Sequence, residues 1–162
     1  MTYHLAQVNI ARLAAPLDSP QLAGFVAALD PVNAVADTAP GFVWRLQTED
    51  GDATAIRPYE DEMIMVNLSV WASLDTLRDF VRHPDHRAAM AQRRSYFERM
   101  GEAYVALWWV PAGHRPTVAE ARDRIDLLRR LGPTAEAFTF GTSFPPPDVA
   151  DRSPLLGEGC TT

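Results

Sequence analysis

Asn67 and Trp71 stand four residues apart in the apolar run from Met63 to Trp71, with Ser69 between them. A side-chain amide is a directed hydrogen-bonding group, and an indole is a large apolar surface. Gln7 and Asn9 repeat the amide chemistry near the N-terminus, and Arg45 adds a fixed positive charge. The densest titratable cluster is His83-Pro84-Asp85-His86. An imidazole that titrates near neutral pH suits a general base or a ligand. The same residues also read as a helix N-cap at His83 and a solvent-facing first-turn side chain at His86. No further ligands can be picked out beside them, so no metal site is expected.

Strand alternation sorts these side chains by face. Tyr3–Ile10 predicts a strand with Tyr3, Leu5, Gln7 and Asn9 on one side. In the strand from Met63, residues Met65, Asn67, Ser69 and Trp71 share a face opposite Val66, Leu68 and Val70. In Gly41–Thr48, Val43, Arg45 and Gln47 oppose Phe42, Trp44 and Leu46. Small-molecule pockets set a few polar groups among large apolar ones. Gln7, Arg45, Ser69 and Met65 are therefore expected to bind substrate around Asn9, Asn67 and Trp71. Tyr96, after the histidine cluster, is a further substrate contact, or with Phe97 part of a core or interface.

The remaining elements follow from start and stop signals. Ser19-Pro20 opens a helix through Leu22, Phe25 and Leu29, and Asp30-Pro31 repeats the signal, so the helix is expected to break and restart before Pro40-Gly41. Asp50-Gly51 predicts a hairpin with a short return strand over 53–57. Ser73 caps a helix with Leu77 and Phe80, and another runs from His83-Pro84 to about Met100. Ala103–Val110 is a nearly continuous apolar run, suited to a strand buried on both faces. Thr117-Val-Ala-Glu120 opens a helix that Gly132-Pro133 stops. This order predicts an α+β ferredoxin-like sandwich, an antiparallel sheet with helices on one face, over residues 1–132. Residues 133–162 read as a Pro-rich, partly disordered C-terminal extension. Trp108 and Trp109 must point to opposite faces, so one helical layer leaves a face for a second copy of the sheet or for the C-terminal segment, and a homodimer is expected.

Composition narrows the function classes. Every one of the 15 basic residues is arginine, and against 21 acidic residues they leave a net charge of -6, which disfavours general nucleic-acid binding. With 47% apolar and 22% charged residues the chain reads as a folded soluble domain. No apolar run approaches the roughly 20 residues that span a bilayer, and the N-terminus alternates where a secretory signal would be basic and then apolar. A cytoplasmic location is expected. The single cysteine, Cys160, permits neither an internal disulfide nor a Cys-based zinc site. Dinucleotide, P-loop, zincin and nucleophile-elbow motifs do not occur.

From Asn67 through Trp71 and Ser73 to Leu77, Phe80 and His83, the chain resembles the antibiotic-biosynthesis monooxygenase-like group of dimeric α/β-barrel proteins, over roughly residues 3–111. As a whole it is similar to an uncharacterised bacterial single-domain family of that fold. The resemblance implies cofactor-independent oxidation of aromatic polyketide-type intermediates by dioxygen. Asn67 and Trp71 match the group's Asn–Trp pair and Asn9 its first-strand Asn, so the resemblance implies these three as the catalytic residues. Leu77 stands where some members place a Tyr, and Arg93 or Arg94 lies only near their Arg position. Heme-degrading members of the fold imply an alternative, a heme-binding protein using His83 or His86, although Phe80 and Met90 occupy that pattern's Trp and His positions. A non-catalytic small-ligand-binding module is the third reading. The expected partners are a small aromatic or hydrophobic molecule and a second copy of the chain, with neither nucleic acid nor membrane.

Overall fold

The strand at the N-terminus, β1 (Tyr3–Arg12), is paired on both sides, and its alternating side chains separate two different cores. The computed structural model describes residues 2–147. β2 (Phe42–Arg45), β3 (Ile64–Trp71) and β4 (Val105–Pro111) complete an antiparallel sheet in the order β2-β3-β1-β4. α1 (Ala23–Thr38) joins β1 to β2, and α2 (Leu74–Arg82), α3 (Pro84–Ala91) and α4 (Arg93–Tyr96) join β3 to β4. This is the ferredoxin-like arrangement, followed by α5 (Val118–Leu131). Among the described residues no helix is long and apolar enough to cross a membrane.

One sheet face carries Ala6, Val8 and Ile10 beside Val66, Leu68, Val70, Ala106 and Trp108, all buried. α5 covers it with Ala121, Ile125 and Leu128, which fall on one stripe at helical spacing. Ile56 and Tyr59, from the β2–β3 connection, pack beside them. Helices therefore lie on both faces, where the sequence pattern placed them on one. Trp108 finds its cover within its own chain, so the apolar strands do not require a second copy of the sheet.

Three other local expectations are corrected. α1 runs unbroken with Pro31 inside it; Pro31 and Ala27 are both exposed, so water can solvate the carbonyl that loses its helical partner. No return strand forms over 53–57, because β2 pairs directly with β3 and the connection folds into turns such as Thr48 N–H to Asp52 O at 2.8 Å. The register shifts between Phe42 and Trp44. This bulge turns Phe42 to the side of Arg45, against the edge of Trp71 at 5.5 Å, while Trp44 keeps to the α5 side.

After α5 the chain crosses the β4 edge to the other face. Phe138 and Leu107 exchange backbone hydrogen bonds of 2.8 and 2.9 Å, and the Phe138 ring is fully buried beside Leu5, Trp71 and Leu77. Trp109 Nε1–H donates to Phe144 O at 2.9 Å. The packed unit thus runs on to Phe144, while residues 148–162 of the extension, Cys160 included, lie outside the described residues. Truncating these anchors leaves cavities: Leu128→Ala is expected to cost about 2–5 kcal/mol and Phe138→Ala about 3–5 kcal/mol, read from urea unfolding midpoints. A Phe138→Ala chain as stable as the parent would contradict the core position assigned to this segment.

Candidate functional site

Between the second sheet face and helices α1 to α4 lies a cavity of about 340 Å³. Its floor is the set of residues that alternation brings to that side of β1 and β3. Asn9 pairs with Asn67 across the two strands, and Gln7 with Ser69, which continues to Arg45 on β2. Opposed pairs of this kind place their Cβ atoms about 5 Å apart, so the amides form a compact patch. α1 roofs the cavity with Phe25, Leu29, Val32 and Asn33, which recur at helical spacing. Asn67 is the one exposed residue of β3, because open space stands above it where its neighbours are packed.

A buried hydrogen-bond chain orders one end of this floor. Trp71 Nε1–H donates to Ser69 Oγ at 3.0 Å, and Ser69 Oγ–H donates to Gln7 Oε1 at 2.9 Å. The direction of this chain has two consequences. The only polar hydrogen of Trp71 is used internally, so its indole packs as an apolar group with Leu5, Leu77 and Phe138 at the cavity's end, and the Gln7 amide keeps its N–H groups as the remaining donors. The wall is extended by Phe80, stacked on Trp71 at 5.0 Å and 25°, and by His86, edge-on to Phe80 at 5.0 Å.

The two histidines separate. His83 is exposed and caps α3, its Nδ1 accepting from Asp85 N–H at 3.2 Å, and it does not line the cavity. His86 is half-buried and does line it, contrary to a solvent-facing reading. His86 Nδ1 lies 3.1 Å from Val81 O. A carbonyl can only accept, so Nδ1 carries the proton and Nε2 is left with its lone pair. Burial pushes this imidazole below its ordinary value of 6.5, with His83 adding to the effect and the Val81 carbonyl opposing it. The ring is a neutral base at neutral pH.

Of the other expected contacts, Arg45 lines the cavity, but its guanidinium is engaged by Asp37 at 2.7 and 3.2 Å and by Gly51 O at 2.6 Å. It staples α1 and the β2–β3 connection to the sheet. Met65 lines the far end of the floor, where it is largely buried near Leu13 and Leu22. Tyr96 lines the cavity beneath α1, its hydroxyl so close to Gly24 that a Cβ there would collide with it. Arg93, also on the wall, lies 4.7 Å from the Tyr104 ring centroid, and among the described residues no carboxylate pairs with it. Sequence reasoning missed Asp52 and Thr54, from the connection, and Phe140, from the C-terminal segment, all of which line the cavity. The phenylalanines at 138, 140 and 144, in a stretch without helical period, were the available signal for the last. Among the described residues no group of three or more His, Cys, Asp and Glu is placed to hold a metal ion.

The model of the family described as "Domain of unknown function (DUF3291)" matches residues 4–154. The chain belongs to this family. No curated protein matches the chain. Among solved structures, this DUF3291 member is similar to SnoaB, a cofactor-independent oxygenase from Streptomyces nogalater, with 18% identity over 70% of this chain and 95% of that one and a TM-score of 0.43. It is also similar to a Caulobacter crescentus CB15 protein assigned as an antibiotic biosynthesis monooxygenase, with 17% identity, coverage of 70% and 92% and a TM-score of 0.48. A third is Rv0793 from Mycobacterium tuberculosis, with 15% identity, coverage of 70% and 99% and a TM-score of 0.45.

Two outcomes follow from this geometry. Ser69→Ala strands both Trp71 Nε1–H and Gln7 Oε1 in a buried setting and is expected to cost about 1–3 kcal/mol in urea unfolding. For His86, a folded value below 6.5 means that the unfolded chain binds more protons as pH falls below that point. Its contribution is complete above about pH 6.5 and is lost on acidification toward the folded value. In His86→Gln the fall in stability between pH 7 and 5.5 is therefore expected to be shallower than in the parent, and an identical slope would contradict the buried neutral ring.

Proposed function

We propose that the cavity binds a flat phenolic or anthrone-type molecule and promotes its oxidation by dioxygen without a resident cofactor. The observation that carries this reading is the paired amides Asn9 and Asn67 in an apolar cavity whose lining also includes the half-buried His86. The match of Asn67 and Trp71 to the monooxygenase-like pattern supports it. His86 Nε2 takes a proton from the substrate, and the negative charge that passes to the ring oxygen is held by the Asn67 and Asn9 amides, with Gln7 as a further donor. Trp71 and Phe80 give the electron-rich ring an apolar end to pack against. Dioxygen then attacks the deprotonated carbon. For an anthrone, the methylene loses two hydrogens and gains one oxygen atom as a carbonyl, and the second oxygen leaves as water. The four electrons that reduce dioxygen come from the substrate carbon.

The lining residues named here all come from one chain, and sedimentation equilibrium decides whether the expected homodimer forms. Oxygen uptake with an anthrone, with no metal or flavin added, tests the reaction. Asn67→Ala is expected to lower turnover about 10²-fold, as the loss of one oxyanion donor does, and Trp71→Ala to weaken substrate binding, both in chains that still fold. Normal turnover in both variants would sink the proposal.

A second reading is heme binding through His86, favoured by the free Nε2 and by Met90 and Arg93 on the same wall. His86 would hold the heme through Nε2, and the heme would supply oxygen activation at its iron. A heme titration followed by absorbance decides it: an absent Soret shift, or one that persists in His86→Ala, removes this reading.

A further inference from the structure

We propose that Phe140 is a specificity-determining residue whose ring ends the cavity and sets the length of ligand admitted. The proposal rests on the reading of the cavity as a ligand site, though not on the reaction carried out there. The floor runs from Met65 to Trp71, six strand steps or about 20 Å. At the Trp71 end Phe42 and Phe80 pack on the indole, and Phe140 joins the same apolar cluster while facing the cavity.

The segment bearing Phe140 is held without help from its ring. Thr139 N–H donates to Thr142 O at 3.3 Å and Thr142 N–H to Thr139 Oγ1 at 3.0 Å, closing a turn around Phe140 and Gly141. Arg78 Nη2, from α2, donates to Phe140 O at 2.9 Å. On one side Phe138 is paired with Leu107, and on the other Phe144 O accepts from Trp109 Nε1–H. Position 140 is thus fixed in place by its backbone while its side chain is only half-buried. Its size can change without loosening the turn, whereas Phe138, fully buried, is committed to packing. A smaller residue at 140 lengthens the cavity at the Trp71 end and leaves the amide floor untouched.

The test is isothermal titration calorimetry with 4-alkylphenols from 4-ethylphenol to 4-octylphenol. In the parent chain affinity is expected to rise with alkyl length and then fall once the tail meets Phe140. In Phe140→Ala the maximum is expected to move to longer tails. The longest member should gain about tenfold, the factor for burying roughly two more methylenes, with 4-ethylphenol unchanged. Phe140→Leu should give an intermediate maximum and, being a milder change, guards against a folding defect in the alanine variant. An unmoved maximum, or an equal loss at every length, would overturn the proposal. Absence of binding by every phenol to all three chains would overturn it together with the ligand-site reading. Normal binding without oxygen uptake would remove the reaction alone.

Discussion

The register between β1 and β3 is the constraint on which the rest depends. Asn9 faces Asn67 and Gln7 faces Ser69 only in this alignment. A slip of one residue would exchange the two faces of a strand completely. It would carry Ala6, Val8 and Ile10 away from α5 and press the amides into its apolar stripe. Both cores oppose that slip, the α5 side by burial and the cavity side by the Trp71–Ser69–Gln7 chain. The back of the sheet therefore aligns the front, and an interior far from the cavity sets the spacing of the groups that face a ligand.

A sheet face that mixes amides with large apolar side chains would close up if its helices could settle on it. Aromatic clusters at both ends prevent this. Phe42, Trp71 and Phe80 fill one end, and Phe25, Tyr96 and Phe97 the other, with ring centroids 5.0 to 6.4 Å apart. α1 rests across these supports, and only Ala36 along its length is buried. In the middle, closing the gap would desolvate Asn9, Asn67 and the Gln7 amide without supplying them partners. The cavity persists because its ends are well packed and its centre is costly to fill.

Much of this was legible in the sequence, and for a physical reason. Period-two alternation is a local property, so the face shared by Gln7, Asn9, Met65, Asn67, Ser69 and Trp71 could be read from strands one at a time. What eluded sequence reasoning depends on contacts between distant segments. The bulge at Val43 that turns Phe42 over is a matter of pairing with β3. Pro31 carried a valid break signal, and the helix continued because its exposed side tolerates the lost bond. α5 was recognised as a helix, but its stripe does not say which face of the sheet it will cover. His83 and His86 are three residues apart and nearly equivalent in sequence, yet one caps a helix and the other turns inward to Val81 O. Phe140 stands in a stretch that has no period at all.

The short exchange between Phe138 and Leu107 has a meaning beyond packing. Val105–Val110 is an uncharged, strand-forming run containing two tryptophans, and β4 lies at the margin of the sheet. A bare margin of that composition is a template onto which another chain can add, the first step toward fibrous aggregates. Phe138 bridges Leu107 on that margin and takes up both backbone groups of that residue in its middle. The opposite margin, β2, is only four residues long and carries the bulge, which makes it a poor template. The segment after α5 is thus also a guard on an adhesive strand, since Phe138 occupies backbone groups of Leu107 that a foreign strand would otherwise take.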